Sequence, residues 1–416
     1  MHDSPEGHAS TATLTALGQR YYLPVYRPRE LVLDRGEGSR VWDVEGRDYI
    51  DFGGGIAVNA LGHRHPALLA ALTEQAQKLW HVSNVFYTEP PLRLAEALVE
   101  AADFAERVFL CNSGAEANEA AIKLVRKWAA AQGRGPERRV ILTFQGSFHG
   151  RTLATVTATA QPKYQAGYEP LPGGFRYLPF NDAAAVETAM QAGDVAAILV
   201  EPVQGEGGVV PAAPGFLKRL RELCDAHDAL LVLDEIQCGM SRTGTLFAHA
   251  QDGVTPDIVT LAKALGCGVP IGAMLAGPKV AEVMGFGAHG TTFGGNPLAA
   301  AVACAALREL DSDTLRANVE RQSAVLREAL MRMGGQRLFR EVRGRGLMLG
   351  AVLKEDFAGR AGEILDHAAR HGLLILQAGP DVLRLVPALN IDDADVAEGL
   401  QRLSAALDDF LAAADA

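Results

Sequence analysis

The stretch GFLKRLRELCDAHDALLVLDE, Gly215–Glu235, decides the fold class. Its first half places Phe216, Leu217, Leu220, Leu223 and Cys224 on one helical face. Its second half is a short apolar run without alternation, which suits a strand buried on both faces. Similar runs flank it: RVILTF from Arg139, VAAILVEP from Val195, DIVTLA from Asp257 and PIGAMLAG from Pro270. Strand and helix alternating from about Arg107 to Gly277 predict an α/β domain with crossovers around a mainly parallel sheet.

Working outward, RVFLCNSG from Arg107 reads as a strand and turn. AEANEAAIKLVRKWAAAQG from Ala115 reads as a helix closed by Gly133. After about Ala305 the character changes. Charged amphipathic helices come first, then the strand segments FREVRGRGLMLGAVL and VLRLVPALNI, then a last helix with Asp392 or Asp393 as N-cap. These features predict a smaller α+β domain. The expected division is a segment 1–60 that joins the small domain and the active-site entrance, a large domain over 61–305 and a small domain over 306–416. No low-complexity linker separates them, so the domains are expected to dock tightly, and no repeat of solenoid period is present.

The 416 residues are 48% hydrophobic and 21% charged, enough for a large core. A net charge of -11 argues against nucleic acid or an anionic membrane as the main partner. No segment is apolar enough over the length of a membrane span. The first twenty residues lack the basic and apolar regions of a signal peptide. Five scattered cysteines without CxxC spacing fit a reduced, cytoplasmic setting.

Lys263 is the only charge between Asp257 and Lys279. Burying an ammonium is costly unless it is paired or loses its proton, and a desolvated lysine becomes a nucleophile toward carbonyls. Asp234 ends the buried run of LLVLDEIQ, where ligands of open α/β sheets sit, and needs a cationic partner. Ser113, Gly114 and Ala115 open a helix after a strand, a ready site for a phosphate. Taken alone, the Ser113 stretch reads equally well as a helix start with Ser113 as N-cap, and Asp234 has a salt bridge or a helix cap as its alternative. Together, a phosphate cradle, a carboxylate for a pyridinium nitrogen and an amine for an aldehyde describe pyridoxal 5'-phosphate (PLP) held by a lysine.

Long segments carry a resemblance: RGEGSRVWDVEGRDYIDFGGGIAVNALGHRHP, CNSGAEANEAAIKL, FHGRT, EPVQGEGGV, LDEIQCGMSRTG, AKALGCGVPIGAMLA and HGTTFGGNPLA. The chain resembles the class III (ω-amino acid) aminotransferases of fold type I, and among them the acetylornithine and succinylornithine enzymes. The resemblance implies a Schiff base on Lys263, which then shuttles the proton, and a pairing of Asp234 with the ring nitrogen. It implies that Gln237 bonds the ring hydroxyl, that Phe148 stacks on the ring, and that Glu235 belongs with the cofactor-binding residues. Gly114 and Ala115 would hold the phosphate, with Thr292 reaching it from a partner subunit of a homodimer. Thr291 would lie on the substrate side. Arg151 would take a substrate carboxylate, and Glu206 and Arg384 would form a switchable pair.

Arg384 is the only charge in VLRLVPALNI, and an arginine in a half-buried strand needs an anion. A structural salt bridge is the alternative for this pair. The implied activity transfers the δ-amino group of an N-acylornithine to 2-oxoglutarate, giving an N-acylglutamate semialdehyde and glutamate in arginine metabolism. Acetyl or succinyl, and biosynthesis or catabolism, stay open. Rival readings are an ornithine, 4-aminobutyrate or lysine ω-aminotransferase, and a silent PLP-fold binding protein. His63 and His65 share an HxH spacing without further ligands, so no metal is expected. Ser241 in GMSRTG fails the nucleophile-elbow spacing, and no GxGxxG follows a strand.

Overall fold

The structure, a computed structural model, describes residues 10–333 and 335–415. Seven strands form the central sheet: β1 (Arg107–Cys111), β2 (Val140–Phe144), β3 (Phe175–Leu178), β4 (Val195–Val200), β5 (Leu230–Asp234), β6 (Ile258–Leu261) and β7 (Gly272–Ala276). Their order is β1-β7-β6-β5-β4-β2-β3. The five strands from β6 to β3 run parallel. Every residue of β4, β5 and β6 is buried, as their unbroken apolar runs require.

β7 is antiparallel to both β6 and β1. Only residues 262–271 join β6 to β7, too few for the crossover that a parallel neighbour needs. The helix Phe216–Ala226 buries Phe216, Leu217, Leu220, Leu223 and Cys224, the face read from its spacing. The helix Gly114–Ala131 follows β1 and buries Ala117, Ala120, Ala121, Leu124, Val125 and Trp128. Gly133 lies just beyond it at φ 74°, a left-handed turn that a glycine makes without strain.

A second, antiparallel sheet joins Phe339–Arg345, Met348–Leu353, Val382–Leu385 and Leu376–Gln377 in that spatial order. Asp392 accepts the Asp395 amide at 2.7 Å and so caps the last helix, Asp393–Asp415. Near the N-terminus, Leu33–Glu37, Arg40–Asp43 and Asp48–Asp51 form a meander, and the C-terminal pair Leu373–Leu374 adds to it in parallel. The expected boundary at residue 305 falls inside one continuous helix, Pro297–Leu310. Among the described residues no helix is long and apolar enough to cross a membrane.

Candidate active site

The carboxyl ends of β2, β4, β5 and β6 open onto one cleft of about 430 Å³. Its walls include Ser113, Gly114, Ala115, Phe148, Arg151, Glu201, Asp234, Gln237 and Lys263. Residues up to 150 apart in sequence converge because parallel strands end on the same edge of the sheet.

Asp234 is buried at the end of β5. Its Oδ2 accepts from Asn118 Nδ2 and from His149 Nδ1, each at 2.8 Å, and its Oδ1 accepts from the Ile236 amide at 3.1 Å. A carboxylate only accepts, so the His149 proton sits on Nδ1. Asn118 is fixed in turn by the Thr260 hydroxyl, which donates to Asn118 Oδ1 at 2.8 Å. Asp234 therefore has one orientation relative to the cleft.

Lys263 follows β6 in a left-handed conformation, φ 46°, which is costly for a residue with a side chain and marks a site where the surroundings over-determine the backbone. Among the described residues, its amine makes no hydrogen bond or ion pair. Burial pushes its pKa down to about 8. Glu206, Asp234 and Glu201 pull in the opposite direction, while Arg384 adds to the fall. A large fraction of neutral amine at mild pH is what a carbonyl nucleophile needs.

Ser113 caps the helix Gly114–Ala131, its hydroxyl accepting from the Glu116 amide at 3.2 Å. The Gly114 and Ala115 amides lie in the first turn, where no intrahelical acceptor exists, and both residues border the cleft. A Cβ on Gly114 would come within 2.7 Å of the Ile236 side chain, so a larger residue there would have to push Ile236 aside. Phe148 borders the same cleft, with its ring 6.1 Å from Tyr164 edge to face. The Arg151 guanidinium stacks on Tyr164 at 3.8 Å. No carboxylate pairs with Arg151 among the described residues, so it presents an open cation at the mouth of the cleft.

Arg384 is fully buried in its strand, rather than half-buried as its sequence context suggested. Its Nη1 donates to Glu206 Oε1 at 2.5 Å and to Gln237 Oε1 at 3.2 Å, which ties the pair to the cleft wall. Burial works against the Glu206 charge, but Arg384 and Lys263 outweigh it and hold Glu206 below the usual carboxylate range. A Cβ on Gly205 would lie 2.3 Å from Gln237 Oε1, so glycine is needed for this approach.

Glu235 does not reach the cleft. Its side chain points to the opposite side from that of Asp234, as neighbours along a strand do. Its oxygens accept from the Ala248 amide at 2.6 Å and from the His249 amide and ring at 2.8 and 2.7 Å. Thr291 and Thr292 line a separate cavity of about 370 Å³, with His81, Asn84, Phe86 and Tyr87. Ser241 is buried and donates to the Leu310 carbonyl, and His63 pairs with Asp51 at 3.0 Å, so both are structural.

Three residues at the site went unread in the sequence. His149 and Asn118 sit inside the motifs around Phe148 and Ser113. Glu201 follows β4 as Asp234 ends β5, so the strand-end rule that singled out Asp234 also marks Glu201. Burial, followed by the nearby Asp234 charge and opposed by His149, pushes the Glu201 carboxyl up.

Residues 21–407 match the family model Aminotransferase class-III. The chain is 72% identical to an acetylornithine aminotransferase of Xanthomonas axonopodis pv. citri over 94% of this chain and 96% of that protein. It is 50% identical to a succinylornithine transaminase of Yersinia enterocolitica over 92% of this chain and 94% of that one. Among solved structures, an N-acetylornithine aminotransferase from Stenotrophomonas maltophilia superposes with TM-score 0.85 at 63% identity, covering 96% of this chain and 99% of the other. An ornithine aminotransferase from Toxoplasma gondii, with PLP at partial occupancy, gives TM-score 0.94 at 34% identity over 98% and 96% of the two chains. With a cleft built around Lys263 and Asp234 and a match over nearly its whole length, the chain belongs to the class III aminotransferases and has their fold type I architecture.

Proposed function

We propose that the protein transfers the δ-amino group of an N-acylornithine, acetyl or succinyl, to 2-oxoglutarate, using PLP in the Lys263 cleft. The observation that carries this reading is the arrangement of two arginines around one reactive amine. Arg151 is open at the mouth, and Arg384 is masked by Glu206. A diamino acid carries its carboxylate far from the reacting end, whereas glutamate carries one beside it and one far away. One permanent and one conditional carboxylate site suit this pair of substrates. The names of the similar proteins add independent support.

The cofactor fits the residues present: a helix N-terminus for its phosphate, Phe148 against its ring, Asp234 for its nitrogen and an unpaired amine for its aldehyde. When bound, PLP supplies an aldehyde that condenses with amines and a ring that draws electrons from the substrate carbon. Lys263 holds the cofactor between turnovers and, once displaced, carries the proton away from the substrate carbon. Asp234, oriented by Asn118 and His149, keeps the ring nitrogen protonated. Gln237, whose Oε1 accepts from Arg384, borders the same cleft and would bond the ring hydroxyl. Arg151 binds the distant carboxylate of either substrate. Glu206 covers Arg384 for the acylornithine and moves aside for 2-oxoglutarate or glutamate.

Thr292 belongs to the partner's phosphate site in a homodimer. Large apolar side chains are exposed beside its loop, with Phe86 at 72%, Tyr87 at 90% and Phe293 at 61%, and such a patch suits a subunit interface. All five cysteines are free, which supports a cytoplasmic setting, with arginine metabolism as the context. The deciding experiment is Lys263→Ala. Amine transfer should vanish while circular dichroism shows an intact fold, and turnover near the unsubstituted level without added amine would contradict the assignment.

A further inference from the structure

Glu201 is 5% exposed and stands where β4 ends. Its two oxygens serve two different loops. Oε1 accepts from the Phe148 amide at 2.9 Å, and Oε2 accepts from the Gly205 amide at 3.2 Å. The first loop runs on through His149 to Arg151, and the second continues directly into Glu206. One carboxylate thus sits between the segment of the open arginine and the residue that masks the buried one. Elsewhere the second loop is held by the Gln204 side-chain amide, which donates to the Gln145 carbonyl at 3.0 Å, and by Arg343, which donates to the Gly208 carbonyl at 2.8 and 3.0 Å. Its strand pairing is the two-residue ladder of Val203–Gln204 with Val210–Pro211, and the backbone between takes left-handed values at Gly208 and Val209.

We propose that Glu201 is a positioning residue that latches the switch loop, holding Glu206 over Arg384 through the Gly205 amide while anchored on Phe148. The proposal rests on the reading of Glu206 and Arg384 as a switch. Both acceptors of the carboxylate are required, because a backbone N–H can only donate. A glutamine of the same shape offers one oxygen and one NH2 group. The oxygen stays with the closer Phe148 amide, and the NH2 then faces the Gly205 amide, donor against donor. The loop is released, Glu206 leaves Arg384 more readily, and the cleft favours ligands with a carboxylate beside the reacting carbon.

The test uses the holoenzyme and glutarate, an unreactive dicarboxylate with the chain length of 2-oxoglutarate. In Glu201→Gln, glutarate should bind about threefold to tenfold tighter by calorimetry, the change one net hydrogen bond makes. The single-turnover rate with N-acetylornithine should fall by a similar factor, while the glutamate half-reaction holds. Hydrogen exchange in the peptide Val203–Val210 should accelerate. Adding Glu206→Gln to Glu201→Gln should change glutarate affinity less than twofold further, since both act on one latch. If Glu201→Gln does not fold, Glu201→Asp keeps the charge but is one methylene shorter and reaches one amide, with the same direction expected. Equal loss in both half-reactions, or unchanged glutarate affinity and exchange, overturns the latch. When Glu206→Gln alone still separates the half-reactions, that failure is confined to Glu201. When Glu206→Gln slows both equally, the switch reading fails and takes the latch with it.

Discussion

Arg384 and Glu206 meet at 2.5 Å, with the arginine side chain 3% exposed and the glutamate 24%. The pair is lopsided: the cation is locked in a strand, and the anion sits on a glycine-flanked loop. Arg384 Nε has no partner among the described residues, so the guanidinium has donor capacity left for a second anion. An ion pair whose anion side can move suits a switch better than one buried on both sides.

Removing the mask should therefore split the two half-reactions. In Glu206→Gln the acylornithine half should slow by about tenfold, because an uncovered Arg384 captures a carboxylate beside the reacting carbon. The glutamate half should hold or improve. Single-turnover absorbance measures each half separately, and equal losses would make the pair structural.

Asp234→Asn should keep the cofactor bound and lose several orders of magnitude in rate. The amide cannot hold a proton on the ring nitrogen, although the Asn118 and His149 contacts still place the side chain. Stopped-flow kinetics with equilibrium binding of the cofactor separates the two effects. An unchanged kcat would mean that Asp234 serves only the fold.

The meeting of Asp234 and Lys263 in one cleft was legible in the sequence because a lone charge in an apolar run is conspicuous. Glu235 shows the limit of that rule, since adjacent strand residues face opposite ways and only one of them meets the cleft. The reach of Asn118 and His149 to Asp234 depends on how a helix and a loop pack over the sheet, which spacing along the chain does not encode. The reversed direction of β7 follows from its short connection, a cue as local as any motif. Arg384 was legible as a residue needing an anion, but its full burial depends on the strands that flank it, Met348–Leu353 and Leu376–Gln377.

The stability of the cofactor-free protein should carry the mark of Lys263. Its folded-state pKa is about 8 against an ordinary value of 10.5, so between these values the unfolded chain binds more protons and stability rises with pH. Below that window the cost is fully present, on the order of 1–3 kcal/mol. Lys263→Met should raise the Tm of the cofactor-free protein near neutral pH, with the difference shrinking toward about pH 10. A lower Tm at neutral pH would show that the carboxylates around the amine stabilise its charge.

Tyr164 should act on substrate affinity alone. Its ring supports the Arg151 guanidinium at 3.8 Å, a contact worth about 0.5–1 kcal/mol where partly exposed. Tyr164→Leu should raise KM for both substrates by about twofold to fivefold with kcat unchanged. A fall in kcat at constant KM would place Tyr164 in the chemistry instead.

The most direct measurement is kcat/KM with 2-oxoglutarate for N-acetylornithine, N-succinylornithine, ornithine and 4-aminobutyrate under one set of conditions. An open Arg151 and a masked Arg384 predict that at least one acylornithine exceeds both ornithine and 4-aminobutyrate by about tenfold or more, a difference of roughly 1.4 kcal/mol in transition-state binding. Equal or higher values for ornithine or 4-aminobutyrate would contradict the assignment of the acylated substrate.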